Sequence, residues 1–331
     1  AALRGKGITA QAVDAAQLIV TDDSYQNANP LGEATRNKVR EVLLPLLDEK
    51  VIPVVTGFVA ATQDGILTTL GRGGSDYTAA ILGDSLDASE VWTWTDVDGV
   101  MTADPRIVAN ARVIPELSFS EVSELAYFGA KVLHPKTLRP IIERDIPLWV
   151  KNTFNPDSEG TKIIRSSPSV GGKVTAISTI RDLSLVTVEG RGMLGIPGIA
   201  ARTFAAVARQ GASVLMISQA SSEQSICFVI PTKTVVGVIQ SIESEMELEL
   251  ARRDIDRVWA QPEIVIVTAV GAGLRNTPGI AGRTFSALGE AGINVIAIAQ
   301  GSSEYSISIV VAEEDADDAM RQIHQEVILN G

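Results

Sequence analysis

Only one cysteine, Cys227, and two histidines occur in the 331 residues. An internal disulfide is therefore impossible, and a zinc site built from cysteine and histidine is excluded. Cys227 lies in the apolar run ICFVI and reads as a small buried thiol. No apolar stretch approaches the roughly 18 residues that a membrane span needs, and no charged-then-apolar leader opens the chain. Neither a membrane partner nor a signal peptide is expected, and the expected compartment is the cytoplasm. Positive charge is also in deficit, with 28 Lys and Arg against 40 Asp and Glu, a net charge of −12. That balance argues against nucleic acid as a partner. The acidic excess is dispersed, except for a short cluster between Glu313 and Asp318 that reads as a solvated helix start.

What is present is an ordinary globular balance, 45% hydrophobic and 21% charged, long enough for two or three domains. The sharpest internal signal is a repeat. Residues 190–229 recur at 271–310, with 20 of the 40 aligned positions identical. Each copy reads as strand, Pro-Gly turn, helix, strand, strand, followed by a helix and a last strand. This is the α+β ferredoxin-like plan.

The chain before the repeat carries a different pattern. Strands are predicted at Thr9–Asp14, Val51–Thr56, Glu90–Thr95 and Ile146–Lys151. They alternate with helices predicted over Glu33–Asp48, from Ser75 to about Leu86, Phe119–Phe128 and Thr137–Glu143. Such alternation predicts an α/β domain with a parallel sheet. The stretch Asn155–Gly172, rich in Pro, Ser and Gly, is the expected boundary. The expected divisions are a front domain over 1–165, a linker and first regulatory strand over 166–182, and two modules over 183–258 and 259–331.

Three motifs in the front domain carry chemistry. In LGRGGSDYTAA, glycines 71, 73 and 74 open backbone amides to an anion, and Ser75 opens a helix whose N-terminal end favours negative charge. Arg72 offers a fork that fits a carboxylate or phosphate, and Asp76 stands where it can hold a cation. A capped glycine turn with no ligand is the structural alternative. WTDVDGVMTADPR follows a strand at the carboxyl edge where open α/β sheets bind ligands. Its aspartates 96, 98 and 104 lack the distant glutamate of a calcium loop, so no metal-ligating set is assigned. In YFGAKVLHPKTL, Lys131 follows a glycine closely enough to approach a phosphate, whereas His134 reads as structural.

These motifs, in this order and followed by two PGIA…SSE repeats, resemble the aspartate kinase family over essentially the whole chain. The resemblance implies a carbamate-kinase-like α/β amino-acid-kinase domain followed by two ACT modules. It implies transfer of the γ-phosphoryl of ATP, with Mg²⁺, to the side-chain carboxylate of L-aspartate, as a first step towards lysine, threonine and methionine. Arg72, Gly73, Gly74 and Ser75 would then bind aspartate, with Arg72 and Asp76 in the catalytic centre. Thr95, Asp96, Met101, Arg106, Lys131 and Val132 would surround ATP, although the family often has tyrosine where Met101 stands. The family's Lys-Phe-Gly-Gly-Thr-Ser segment and an early glutamate have no counterpart. The kinase domain is therefore expected to be incomplete at its N-terminal end, and these residues alone are expected to be inactive. No homoserine dehydrogenase portion is expected within them.

The resemblance also implies an amino-acid effector held by the ACT modules, which pair as a homodimer. The candidate effector residues are Met193, Gly195, Pro197, Gly198, Ile199 and Ala200 at the first Pro-Gly turn, with Ser213, Gln219, Asn294 and Gln300 on matched strands. Gln219 and Gln300 each end an apolar strand and are expected to be half-buried. Their context favours threonine, with lysine second. Two other readings remain: a non-catalytic amino-acid-binding regulatory chain, and another amino-acid kinase such as glutamate 5-kinase or acetylglutamate kinase. The tandem repeat speaks against the last.

Overall fold

The computed structural model describes residues 1–129, 133, 135–166, 173–193, 196–219, 224–300 and 305–330. The chain divides into two compact units, Ala1–Met101 with Arg112–Pro168, and Thr102–Ala111 with Ser169–Gly331. The segment 102–111 thus clusters with the second unit, apart from its sequence neighbours on either side.

In the first unit a short helix α1 (Ala2–Gly5) leads to β1 (Ala10–Val13) and β2 (Val20–Thr21). Helix α2 (Gly32–Asp48) buries Val39 and Leu43 on one face and keeps Pro45 inside its last turn. Then come β3 (Ile52–Val55), β4 (Val59–Thr62), β5 (Leu67–Thr69), α3 (Gly74–Ser85) and β6 (Val91–Thr95). β7 (Glu116–Ser118), α4 (Phe119–Tyr127), α5 (Pro135–Ile142), β8 (Leu148–Asn152) and β9 (Thr161–Ile164) complete it. Ser118 and Glu121 close a reciprocal capping box at the start of α4.

The parallel pairings expected of an α/β domain are present, joined by two antiparallel ones. β1 with β3, β2 with β4, β6 with β8 and β7 with β9 are parallel. β4 with β5 and β8 with β9 are antiparallel. The β4–β5 reversal follows from Asp64-Gly65. Gly65 has φ +81°, its N–H donates to the Thr62 carbonyl, and the Thr62 N–H donates to the Ile66 carbonyl. A left-handed glycine there lets the chain double back at once. Trp92, Trp94 and Trp149 share one face of the β6–β8 pair, with Lys151 over Trp92 and Trp149 and Lys162 over Trp149.

The second unit is built on two long strands, β10 (Ala176–Glu189) and β13 (Arg257–Val270), paired antiparallel along their length. Between them lie α6 (Ile199–Arg209), β11 (Met216–Gln219), β12 (Ser225–Pro231), α7 (Val235–Glu245) and α8 (Glu247–Arg252). After them come α9 (Ile280–Glu290), β14 (Ala297–Ala299), β15 (Ser306–Ala312) and α10 (Ala316–His324). The sheet order is β11-β12-β10-β13-β15-β14. A register shift between Ile180 and Leu185 divides the β10–β13 ladder. The later half of β10 pairs β12 and serves the first copy, while the later half of β13 pairs β15 and serves the second.

Each copy has its own core. The first is centred on Phe228, fully buried and edge-on to Phe204, with Val188, Val207 and Ile242 around it. The second gathers Val267, Leu288, Ile309, Met320 and Ile323. The repeat extends to an ion pair, Arg202 of α6 with Glu245 of α7 and Glu249 of α8 in one copy and Arg283 of α9 with Glu326, just beyond α10, in the other.

Replacing Phe228 with Ala should destabilise the second unit by about 3–5 kcal/mol, as expected for an aromatic removed from a packed core. Urea denaturation followed by circular dichroism checks this; an unchanged midpoint would contradict it.

Candidate functional site

Glycine geometry shapes the first site. After β5 the chain turns through Gly71 and Gly73, with φ +77° and +74°, and enters α3 at Gly74. Gly73 is the residue that caps α3, and it has no side chain to cap with. Ser75 lies within the first turn, which corrects its expected capping role. A Cβ on Gly74 would lie 2.7 Å from the Phe58 ring, and one on Gly57 would lie 3.1 Å from Ser75. Backbone and side chain are thus in contact on both sides of the turn, and neither glycine position has room for a larger residue.

Phe58 is fixed independently. Its N–H donates to Thr78 Oγ1 at 3.1 Å, and Thr78 donates to the Gly74 carbonyl at 2.8 Å. Leu70 N–H donates to the Phe58 carbonyl at 3.0 Å. The outcome is a cleft of about 490 Å³ lined by Phe58, Gly71, Arg72, Gly73, Gly74, Ser75 and Asp76. The Arg72 and Ser75 side chains are exposed, and Asp76 is half-buried. Burial pushes the Asp76 carboxyl above its usual value. A partly desolvated carboxylate at a helix start, in a cleft that Arg72 also lines, is equipped to help organise an anion and its counter-cation. Phe58 was not foreseen; its place in TGF, directly after a β-rich run, was the available signal.

The aspartate-rich loop divides its labour. Thr95 Oγ1 donates to Asp96 Oδ1 at 3.1 Å, at the carboxyl end of β6. Asp98 accepts from Asn152 and Asn155 Nδ2 at 2.7 and 3.1 Å, so it ties the loop to the end of β8. Met101 bridges to Val113, and Thr161 Oγ1 receives the Val100 N–H. Asp104 is paired with Arg106 through two nitrogens, and this pairing holds its carboxyl below the usual range. Thr95, Asp96 and Met101 therefore stand in the first unit, while Arg106, exposed apart from Asp104, folds with the second. Lys131, Val132, His134 and Gly195 lie outside the described residues. No group of three or more His, Cys, Asp or Glu fit to hold a metal occurs among the described residues.

A second cleft, of about 290 Å³, lies in the first ACT-like copy. Met193, Ile196, Pro197, Gly198, Ile199, Ala200, Gln219 and Ile226 line it. Gly198 has φ +92° and caps α6, as Gly279 with φ +91° caps α9. Six of the ten candidate effector residues thus come together, and Ile196 and Ile226 join them unforeseen. Ser213, Asn294 and Gln300 do not line this cleft. Gln219 and Gln300 are exposed, not half-buried, because β11 and β14 are the edge strands of the sheet.

Comparison with known proteins agrees with this arrangement. Residues 1–152 match the amino acid kinase family, and residues 186–246 and 267–327 each match the ACT domain. Escherichia coli aspartokinase III in complex with aspartate and ADP superposes with a TM-score of 0.78 at 33% identity, covering 98% of this chain and 71% of that one.

The chain belongs to the aspartokinase family.

The same E. coli enzyme in complex with lysine and aspartate gives a TM-score of 0.80, again at 33% identity with 98% and 71% coverage. Among curated relatives, the bifunctional aspartokinase/homoserine dehydrogenase 1 of Arabidopsis thaliana is 40% identical over 100% of this chain and 37% of its own length. This aspartokinase-family chain thus spans well under half of that relative. Its fold is the amino acid kinase fold followed by ACT domains. Among the described residues no helix is long and apolar enough to cross a membrane.

Because burial raises the Asp76 carboxyl, the folded state holds that proton more tightly than the unfolded state. Stability contributed by this group therefore falls as pH rises from the unfolded value of 3.8 through the raised folded value. Asp76→Asn should melt higher than the parent at pH 7, and the difference should vanish below pH 3.8. Calorimetric melts across pH check the sign; a variant that melts lower at pH 7 would refute it.

Proposed function

We propose that this chain is the ACT-regulated part of an aspartate kinase, transferring the γ-phosphoryl of ATP to the side-chain carboxylate of L-aspartate. The observation that carries this reading is the Phe58 and Gly71–Asp76 cleft at the N-terminus of α3. Arg72 grips the α-carboxylate of aspartate through its guanidinium fork, and the Gly73, Gly74 and Ser75 backbone receives the remaining negative charge. One side-chain carboxylate oxygen then attacks the γ-phosphorus. The bond to ADP breaks, the product is 4-phospho-L-aspartate, and no proton needs to move. Such a transfer depends on positioning and charge neutralisation more than on a covalent nucleophile.

Thr95, Asp96, Met101 and Arg106 are assigned to ATP, together with Lys131 and Val132. Mg²⁺ would supply charge neutralisation on the phosphates, and Asp76, the carboxylate among the residues lining the cleft, would help to hold it. The reaction draws on ATP and free aspartate, which fits the cytoplasmic placement.

The second cleft takes the feedback effector. Among the described residues its lining is apolar apart from Gln219 and backbone groups, and none of those lining residues carries a carboxylate to receive an ammonium. That chemistry favours threonine over lysine. The exposed edges β11 and β14 fit a homodimer through the ACT sheets.

Arg72→Ala should weaken L-aspartate binding about ten- to hundred-fold, the loss expected for one charge-assisted carboxylate contact. Isothermal titration with aspartate checks it, and undiminished affinity would remove Arg72 from the site. Gln219→Ala should weaken threonine binding, whereas Gln300→Ala should leave it unchanged. Heat from lysine alone in the unaltered protein would overturn the threonine assignment.

A further inference from the structure

The two ACT copies differ where the segment 102–111 meets the second one. Ala103 and Val108 are buried in that copy's core beside residues of α10 that include Met320 and Ile323. Ile177 N–H on β10 donates to the Thr102 carbonyl at 2.8 Å. Thr102 Oγ1 lies 2.9 Å from His324 Nε2, and both residues are buried. Arg321 Nε donates to the Ile107 carbonyl at 3.2 Å.

The repeat shows which of these residues are special. The helix–helix ion pair fixes the correspondence between copies, with Glu245 matching Glu326. In the same register Ile242 matches Ile323, and both are core residues. His324, however, matches Glu243, which is exposed, and Arg321 matches Gln240. The second copy therefore keeps the shared core positions and departs from its twin at the two side chains that hold 102–111. A histidine 1% exposed, with its ring nitrogen on a threonine hydroxyl, is a costly arrangement to leave unpaired.

We propose that His324, acting through Thr102, is a positioning residue for the nucleotide loop. It fixes the chain immediately before Asp104–Arg106, so that the second ACT copy serves as the mount of that loop. This rests on the assignment of Arg106 to ATP made above. The long strands supply a route by which the first copy reaches the mount. β10 carries the first copy's Val188 at one end and the Ile177 anchor at the other.

The test uses the full chain with Thr102→Val, Thr102→Ser and His324→Gln. Thr102→Val removes the hydroxyl with almost no change of shape, and circular dichroism confirms that each variant is folded; the other two retain a hydrogen-bonding group. Amide hydrogen exchange of 102–111 is read by mass spectrometry, and ATP with Mg²⁺ and L-aspartate are titrated separately. Thr102→Val should speed exchange in 102–111 about tenfold or more, as expected when a buried hydrogen bond is removed. It should weaken ATP binding severalfold and leave aspartate binding unchanged. Thr102→Ser and His324→Gln should stay near the parent in all three readings. Unchanged exchange in Thr102→Val, or equal losses for ATP and aspartate, would overturn the proposal. If the parent takes up no ATP, the nucleotide reading falls first, and the exchange result alone decides whether His324 holds the loop.

Discussion

The antiparallel pairing of β10 with β13 is the constraint on which the second unit depends. Each strand has fourteen residues and spans both ACT copies, and their ladder shifts register where one copy gives way to the other. Asp182 and Glu263 take positive φ of 60° and 55° at this junction, so both strands bend together. Each copy completes its sheet with a strand that also belongs to the other. The two copies therefore fold as one object, although the sequence repeats as if they were two.

The kinase-like cleft depends on a different economy. Its lining is largely glycine backbone, with Gly71 and Gly73 in left-handed conformations and Gly74 against Phe58. Only Arg72, Ser75 and Asp76 add polar side chains. Such a surface discriminates by shape and charge, which suits small anionic ligands better than extended ones.

Much of this was legible in the sequence for identifiable reasons. The repeat announced two equal modules, and the glycine spacing around Arg72 announced the turn that lines the first cleft. Strand–helix alternation gave the α/β class of the front unit, but the antiparallel β4–β5 return was signalled only by Asp64-Gly65. Phe58 carried little signal because a lone aromatic after a strand is ordinary. The exposure of Gln219 and Gln300 depends on which strands end at a sheet edge, a tertiary fact that apolar flanks do not reveal. The placement of 102–111 was the least legible. Ala103 and Val108 have no periodicity of their own, and only their three-dimensional neighbours show which core they join.

The distribution of indole rings has a consequence for anyone who watches this protein in solution. Three of its four tryptophans stand together in the first unit, stacked with lysines. The fourth, Trp259, is held alone in the second by Glu189 and Arg257. Intrinsic emission therefore comes chiefly from the first unit, and a Phe at 259 would make it report on that unit exclusively. Conversely, a chain retaining only Trp259 would carry a single lamp on β13, the strand that both sensor copies share.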